Sequence, residues 1–101
     1  MDCNIENTGN TLLARLAGQF IFSDHPKFKA VLNAASDPAT QNIRLDFARV
    51  DFIDSAGLGM LLLLRDTCDK NKKSLTLLHP NGQVKKVFDI SKFEHLFKIE
   101  A

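Results

Sequence analysis

Two hydrophobic patterns alternate along the chain, one with the period of a β-strand and one with the period of an α-helix. Apolar and polar side chains alternate over residues 43–47 and 74–78, and residues 11–16 are rich in leucine. Such segments are typical of strands with one buried face. Shortly after residues 11–16, the spacing predicts that Phe20 and Phe22 lie on one face of a further extended stretch.

A helical pattern follows the first strands. Asp24 is predicted to be the N-cap and Pro26 stands in the first turn. Phe28, Val31 and Leu32 then form an i, i+3, i+4 stripe, which predicts an amphipathic helix up to about residue 35.

Two more helices and a last strand are predicted in the second half of the chain. Residues 55–70 form the longest helical segment, and its first half is apolar nearly all round, so we expect that half to be largely buried. Val84, Val87 and Phe88 make a third helical stripe. Residues 96–99 are predicted to be a short closing strand.

This alternation of strands and helices indicates the fold class. Helices of this length between strands are crossover connections, which place the strands mainly parallel in one sheet. The sequence therefore predicts an α/β fold with a mixed, mainly parallel sheet of about four to five strands and helices packed on it. No repeat, low-complexity tract or long linker interrupts the 101 residues, so we expect residues 1–101 to form one domain.

Charge and composition exclude several functions. The chain has 13 Lys and Arg against 12 Asp and Glu, so it lacks the basic surplus typical of nucleic-acid binding or of attraction to anionic lipid. No apolar run approaches the roughly 20 residues that cross a bilayer, and the first residues lack the pattern of a secretory signal. We expect a cytoplasmic protein with neither nucleic-acid nor membrane partners. Cys3 and Cys68 lack metal-ligand spacing and are predicted to be reduced structural thiols.

One short segment, at the end of a predicted strand and the start of a helix, carries the most unusual residues: Asp54, Ser55, Ala56, Gly57, Leu58 and Gly59. Each helical glycine costs about 1 kcal/mol relative to alanine, so helix propensity did not select the two glycines. Two interpretations are open. Either Asp54 or Ser55 is an N-cap and the glycines allow tight helix-to-sheet packing, or the small side chains leave the helix amides and the Ser55 hydroxyl open to a partner.

Enzymatic functions have little support in the sequence. The phosphate-binding pattern G-x-x-x-x-G-K-S/T is absent, and so is a G-x-S-x-G nucleophile elbow. The three histidines are scattered without an i, i+4 partner. We therefore predict no cofactor, no metal and no catalytic residue, and a small nucleotide-binding domain that uses the two glycines remains only a minor alternative.

At this point the sequence resembles a known family. Residues 54–59, preceded by the strand over residues 43–47, look like the signature of the STAS domain family, the bacterial anti-sigma factor antagonists. Residues 16–20 resemble the first glycine-containing strand of the family. Residues 84–91 and 96–99 resemble its C-terminal helix and closing strand, so the resemblance covers most of the chain in the family's order.

The resemblance implies a phosphorylation site and its partners. In the family, the serine after the aspartate is phosphorylated by a partner serine kinase of the histidine-kinase-like ATPase type, and that position is Ser55 here, beside Asp54. The implied partner is thus an anti-sigma factor with serine kinase activity, and a metal-dependent serine phosphatase would remove the phosphate. Residues 54–59 and Asp24 are the implied partner-binding residues.

The chain departs from the family pattern at three places. Ala56 stands where many members have Ser or Thr, which leaves Ser55 as the only hydroxyl of the motif. Lys92 occupies a position that is often glycine. Gln19 replaces an acidic residue that usually follows the first glycine of the family, and Asp24 lies several positions further on.

These implications predict a switch of affinity. A phosphate adds about −1.5 to −2 charge at pH 7, which a helix N-terminus accommodates. A mispaired charge in an interface commonly costs about 2 to 5 kcal/mol, or roughly thirty-fold to several thousand-fold in affinity. The predicted function is a non-enzymatic antagonist that holds its kinase when Ser55 is bare and releases it when Ser55 is phosphorylated. A STAS subunit that docks on another signalling or transport assembly is the alternative.

Overall fold

The chain builds one five-stranded β-sheet and packs three α-helices on it. The computed structural model describes residues 1–101. In chain order the elements are β1 (Asp2–Thr8), β2 (Thr11–Phe20), α1 (His25–Ala34), β3 (Asn42–Ile53), α2 (Ser55–Lys70), β4 (Ser74–Leu78), α3 (Gly82–Ile90) and β5 (Lys98–Glu100), with short 3-10 helices at Phe22–Asp24 and Phe93–His95.

The strands lie in the sheet in the same order as in the chain. β1 pairs with β2 antiparallel, and the other three neighbouring pairs are parallel. Each parallel pair is joined by one of the three helices, as crossover connections require. The predicted α/β class with a mixed, mainly parallel sheet is confirmed.

Phenylalanine side chains form the centre of the core between the sheet and the helices. The ring of Phe47 on β3 lies 6.3 Å from that of Phe20 on β2 and 5.5 Å from that of Phe88 on α3. The Phe20 ring in turn lies 5.0 Å from that of Phe28 on α1. Six of the eight phenylalanines are buried, as expected for core residues.

The opposite face of the sheet is polar. Arg15 of β2 forms a 2.8 Å ion pair with Glu6 of β1 and is in register with Asp46 of β3. Arg44 lies 3.4 Å from Glu100 of β5. The helices therefore share one side of the sheet, and no second layer covers their outer surfaces.

The structure contains a strand, β1, that the sequence pattern does not predict. Only Cys3 and Ile5 of β1 pack against the core, both half-buried, and the rest of the strand is exposed. An edge strand with two such inward residues shows no clear alternation. Gly9, with φ +61°, lies in the turn after β1, so that β2 runs back antiparallel along β1.

The structure also corrects the position of Phe22. β2 continues to Phe20, which is fully buried, but the chain then leaves the sheet and Phe22 begins a 3-10 turn with its side chain 76% exposed. The prediction that Phe20 and Phe22 share a face is therefore wrong. The closing strand is displaced as well, because residues 98–100 pair with β4 while Phe97 packs into the core.

Candidate functional site

Asp54 joins the end of β3 to the start of α2. Its Oδ1 accepts a hydrogen bond from the N–H of Gly57 at 2.7 Å, and its Oδ2 accepts one from the N–H of Phe22 at 3.4 Å. Its own N–H donates to the carbonyl of Phe20 at 3.3 Å. The N-cap interpretation of Asp54 is confirmed, and this one residue fixes the backbone that leads into Ser55.

Gly57 allows α2 to approach the sheet closely. A Cβ atom at this position would lie 2.5 Å from the carbonyl oxygen of Phe20 and 2.7 Å from Cγ1 of Ile53. Both distances are far below van der Waals contact. Tight packing therefore explains this glycine.

Packing does not explain Gly59. The residue is exposed, and a Cβ atom there would meet no other atom within 4 Å. A helical glycine costs about 1 kcal/mol relative to alanine, and no contact inside the fold offsets this cost. A molecule that approaches the helix backbone from outside is a physical reason for a glycine here.

The outer side of α2 carries small residues at its start and apolar side chains further along. Gly59, Leu62 and Leu63 follow Ser55 at i+4, i+7 and i+8, so these residues lie on one side of the helix. We refer to these four residues as the Ser55 face. Leu62 and Leu63 are 37% and 49% exposed. The expected burial of the first half of α2 holds for Gly57, Met60 and Leu61, but not for Ser55, Gly59 and Leu62. The cause is the one-sided fold, which leaves α2 uncovered.

Free hydrogen-bond donors remain at the start of α2. The N–H of Leu58 donates to the carbonyl of Asp54 at 3.0 Å, and the carboxylate of Asp54 accepts a hydrogen bond from the N–H of Gly57. The amides of Ser55 and Ala56 donate to no group of the protein. Together with the helix dipole, these two amides favour negative charge near the Ser55 side chain.

Phe22 extends the apolar surface beyond α2. Its hydrogen bond to Asp54 holds it beside the start of the helix, and a shallow depression adjoins it, lined by Phe22, Ser23, His25 and Pro26. The period-two pattern misses this residue because it predicts burial. The helix-start residues that follow Phe22 are the signal that the strand has already ended.

A comparison with known families covers nearly the whole chain. The STAS domain family model matches residues 2–101. The chain belongs to the STAS domain family. A STAS-domain containing protein of Pseudomonas aeruginosa is 33% identical over 91 residues, which are 90% of this chain and 89% of the relative. An anti-sigma-B factor antagonist of Staphylococcus aureus is 24% identical over 101 residues, with 98% of this chain and 94% of the relative covered.

Solved structures share the fold of this STAS domain. The anti-sigma factor antagonist SpoIIAA in its unphosphorylated form has a TM-score of 0.78 at 24% identity, with 99% of this chain and 87% of that chain covered. SpoIIAA of Bacillus in the phosphorylated form also has a TM-score of 0.78 at 24% identity, with 99% and 92% covered. The family predicted from the resemblance is confirmed.

The carboxylate of Asp24 in this STAS domain faces inward. Its Oδ2 accepts the N–H of Ile21 at 2.9 Å, and its Oδ1 lies 2.9 Å from the amino nitrogen of Met1. Asp24 stands at the N-cap position of α1, but its side chain makes no hydrogen bond to that helix. The predicted N-cap position of Asp24 is therefore confirmed, but its carboxylate closes the preceding turn instead of capping the helix. Asp24 remains a predicted partner-binding residue.

The pKa of Asp24 predicts a pH-dependent stability. Burial alone raises this pKa, but the Ile21 N–H and the Met1 amino group outweigh burial and lower it below its ordinary value. The ionised carboxylate thus stabilises the fold above the unfolded pKa of about 3.9, and this contribution disappears as the pH falls through the lower folded pKa. Asp24→Asn is expected to destabilise the domain at pH 7 and to have little effect in strong acid.

Urea unfolding of both proteins, from pH 7 down to about pH 2, measures this difference. The chain has no Trp or Tyr, so far-UV circular dichroism is the suitable signal. A loss of stability that is equal at all pH values would contradict an electrostatic role for Asp24.

The cysteines and the remaining acidic and histidine side chains form no metal-binding arrangement. Cys3 and Cys68 are free thiols, and burial raises the pKa of Cys68 to about 11, so this thiol is protonated at neutral pH. No group of three or more His, Cys, Asp and Glu side chains is arranged to hold a metal ion. No α-helix combines the length and apolar character needed to cross a membrane.

Proposed function

We propose that this STAS domain is an anti-sigma factor antagonist that binds an anti-sigma factor with serine kinase activity while Ser55 is unmodified. The partner, of the histidine-kinase-like ATPase type, phosphorylates Ser55 and is thereby released. A metal-dependent serine phosphatase returns the domain to its binding form. The domain itself is a cytoplasmic binding module without catalytic activity. The similarity to the anti-sigma-B factor antagonist and the shared fold with SpoIIAA support this proposal.

The Ser55 face is the observation that carries the proposal. One helical turn from Ser55, Gly59 leaves the backbone of α2 bare without any internal reason. Leu62 and Leu63 add exposed apolar area beyond it. A partner that packs on this side of α2 would cover Ser55, so a phosphate on that residue would lie inside the contact.

The neighbouring turn completes the proposed partner surface. Phe22 presents the most exposed large apolar side chain near the start of α2. We assign Asp24 to the surface as the residue that holds this turn in place, because its carboxylate bonds the backbone of Ile21. Ala56 and Leu58, which follow Ser55 at i+1 and i+3, are half-buried.

A phosphate on Ser55 acts differently on the domain and on the complex. In the isolated domain, the free amides of Ser55 and Ala56 and the helix dipole offset part of its charge. In the complex, the phosphate would lie inside the contact with the partner and away from water. An interfacial charge without a partner commonly costs about 2 to 5 kcal/mol. Phosphorylation therefore lowers the affinity while the fold is kept.

A pull-down from native cell extract tests the proposal. The baits are the wild type, Ser55→Ala, Ser55→Asp and, as a matched control, Ser36→Asp. Ser36 is also an exposed serine, but it lies beyond the end of α1, at the opposite end of the parallel strands from Ser55. Mass spectrometry identifies the retained partners and any phosphate on residue 55.

The expected result is a serine kinase of the histidine-kinase-like type that wild type, Ser55→Ala and Ser36→Asp retain and Ser55→Asp loses. Phosphate is expected on Ser55 of the wild type. If all four baits retain the same partners and Ser55 carries no phosphate, the switch is refuted. The domain would then be a constitutive docking subunit of another assembly.

A further inference from the structure

β3 extends beyond its neighbour β4 and has an uncovered edge just before Ser55. β3 pairs with β4 only over residues 42–46, whereas its pairing with β2 continues to Ile53. Residues 47–53 therefore lack a strand partner on the β4 side. The start of α3 lies along this edge instead.

The side chain of Gln83 on α3 replaces the missing strand at Ile53. The N–H of Ile53 donates to Gln83 Oε1 at 3.0 Å, and Gln83 Nε2 donates to the carbonyl of Ile53 at 3.0 Å. One amide thus satisfies both backbone groups, as a residue of a neighbouring strand would. The side chain of Asn81 likewise pairs with backbone groups earlier in β3. Its Nδ2 donates to the carbonyls of Phe47 at 3.4 Å and Ala48 at 3.1 Å.

We propose that Gln83 is a positioning residue for Ser55. Ile53 is the last residue of β3 and leads through Asp54 directly into Ser55. Its side chain also abuts Gly57 in the first turn of α2. A displacement of Ile53 is therefore transmitted to the phosphoacceptor through the chain and through the helix contact.

Loss of the Gln83 amide has a defined physical consequence. Ile53 is 2% exposed, so without the amide its N–H and carbonyl are left unpaired in a buried environment, and the backbone moves to reach water. Phosphoryl transfer depends on the position of the attacking hydroxyl, and a misplacement of about 1 Å lowers the rate by up to about a hundred-fold. Gln83 therefore affects the rate of Ser55 phosphorylation more than the affinity for the kinase. This kinetic part rests on the proposed function.

Gln83→Met is the informative substitution, because it keeps the length of the side chain and removes both hydrogen bonds. Gln83→Glu is the second variant, which keeps the acceptor for the Ile53 N–H and places a carboxylate oxygen against the Ile53 carbonyl in place of the donor. Gln41→Met is the matched control, since the Gln41 amide donates only to the carbonyl of Pro38 and lies at the other end of β3. Circular dichroism verifies that each variant is folded.

Amide hydrogen exchange of the isolated domain, followed by NMR, tests the positioning directly. In Gln83→Met, the amides of Ile53 and Asp54 are expected to exchange at least about ten times faster than in the wild type, which corresponds to about 1.4 kcal/mol. An increase is also expected in Gln83→Glu, whose carboxylate repels the Ile53 carbonyl, and none in Gln41→Met. Unchanged exchange in both Gln83 variants would refute the proposal whether or not a kinase exists.

Steady-state phosphorylation by the captured kinase with Mg-ATP gives the second readout. In Gln83→Met, kcat is expected to fall about tenfold while KM stays within about twofold, because the Ser55 face itself is unchanged. Faster exchange with unchanged kcat would show that Gln83 only stabilises the fold, which also overturns the proposal. If the kinase leaves wild-type Ser55 unmodified, the proposed function fails, and the exchange measurement still decides the role of Gln83.

Discussion

Gly57→Ala is expected to destabilise the domain by up to about 2 kcal/mol, although alanine is the better helix former. The added Cβ would lie 2.5 Å from the carbonyl oxygen of Phe20. That oxygen cannot easily move, because it accepts the N–H of Asp54. Overpacking of this kind costs about 1 to 3 kcal/mol and sometimes more, and the gain in helix propensity of about 1 kcal/mol offsets only part of it.

Gly59→Ala is the matched control for this prediction. The same methyl group meets no atom within 4 Å there, so this substitution is expected to stabilise the domain by up to about 1 kcal/mol. Urea unfolding followed by far-UV circular dichroism compares both variants with the wild type. Equal effects at the two positions would show that the structure assigns the glycines wrongly.

The strongly periodic segments of the chain could be predicted from the sequence, and the weakly periodic ones could not. α2 begins and ends where the pattern predicts, at Ser55–Lys70. β1 was missed, since Cys3 and Ile5 alone give too little pattern. Lys92 shows a third case: it stands where the family often has glycine, and its φ of +55° explains that preference.

The sequence locates the site but does not show which role each of its residues has. Residues 54–59 are conspicuous because the cap and the glycines are local in sequence. The difference between Gly57 and Gly59 depends on Phe20, which belongs to another strand. A second interaction of Gly57 weakens the nucleotide-binding alternative, because its amide already donates to Asp54 and is not free for a phosphate. The exposure of Leu62 depends on the one-sided layer of helices, which no local pattern shows.

Phosphorylation of Ser55 is expected to weaken binding to the captured anti-sigma partner by roughly thirty-fold to several thousand-fold. The free energy of unfolding is expected to change by less than about 0.5 kcal/mol, because the free amides of Ser55 and Ala56 accommodate the phosphate. Isothermal titration calorimetry with the purified partner measures the first quantity, and urea unfolding measures the second. If the phosphorylated domain unfolds much more easily, phosphorylation weakens binding by destabilising the domain and not by its charge in the contact.

Charge and bulk can be separated at the same position. Ser55→Glu and Ser55→Gln add side chains of nearly equal size, and only the first adds a charge. If desolvation or repulsion of the charge drives release, Ser55→Glu is expected to bind at least about ten times more weakly than Ser55→Gln. If the two variants bind equally weakly, the close approach that Gly59 permits is blocked by size alone. Phosphorylation would then act as a steric wedge on the Ser55 face, and the charge of the phosphate would matter only for its accommodation by the helix.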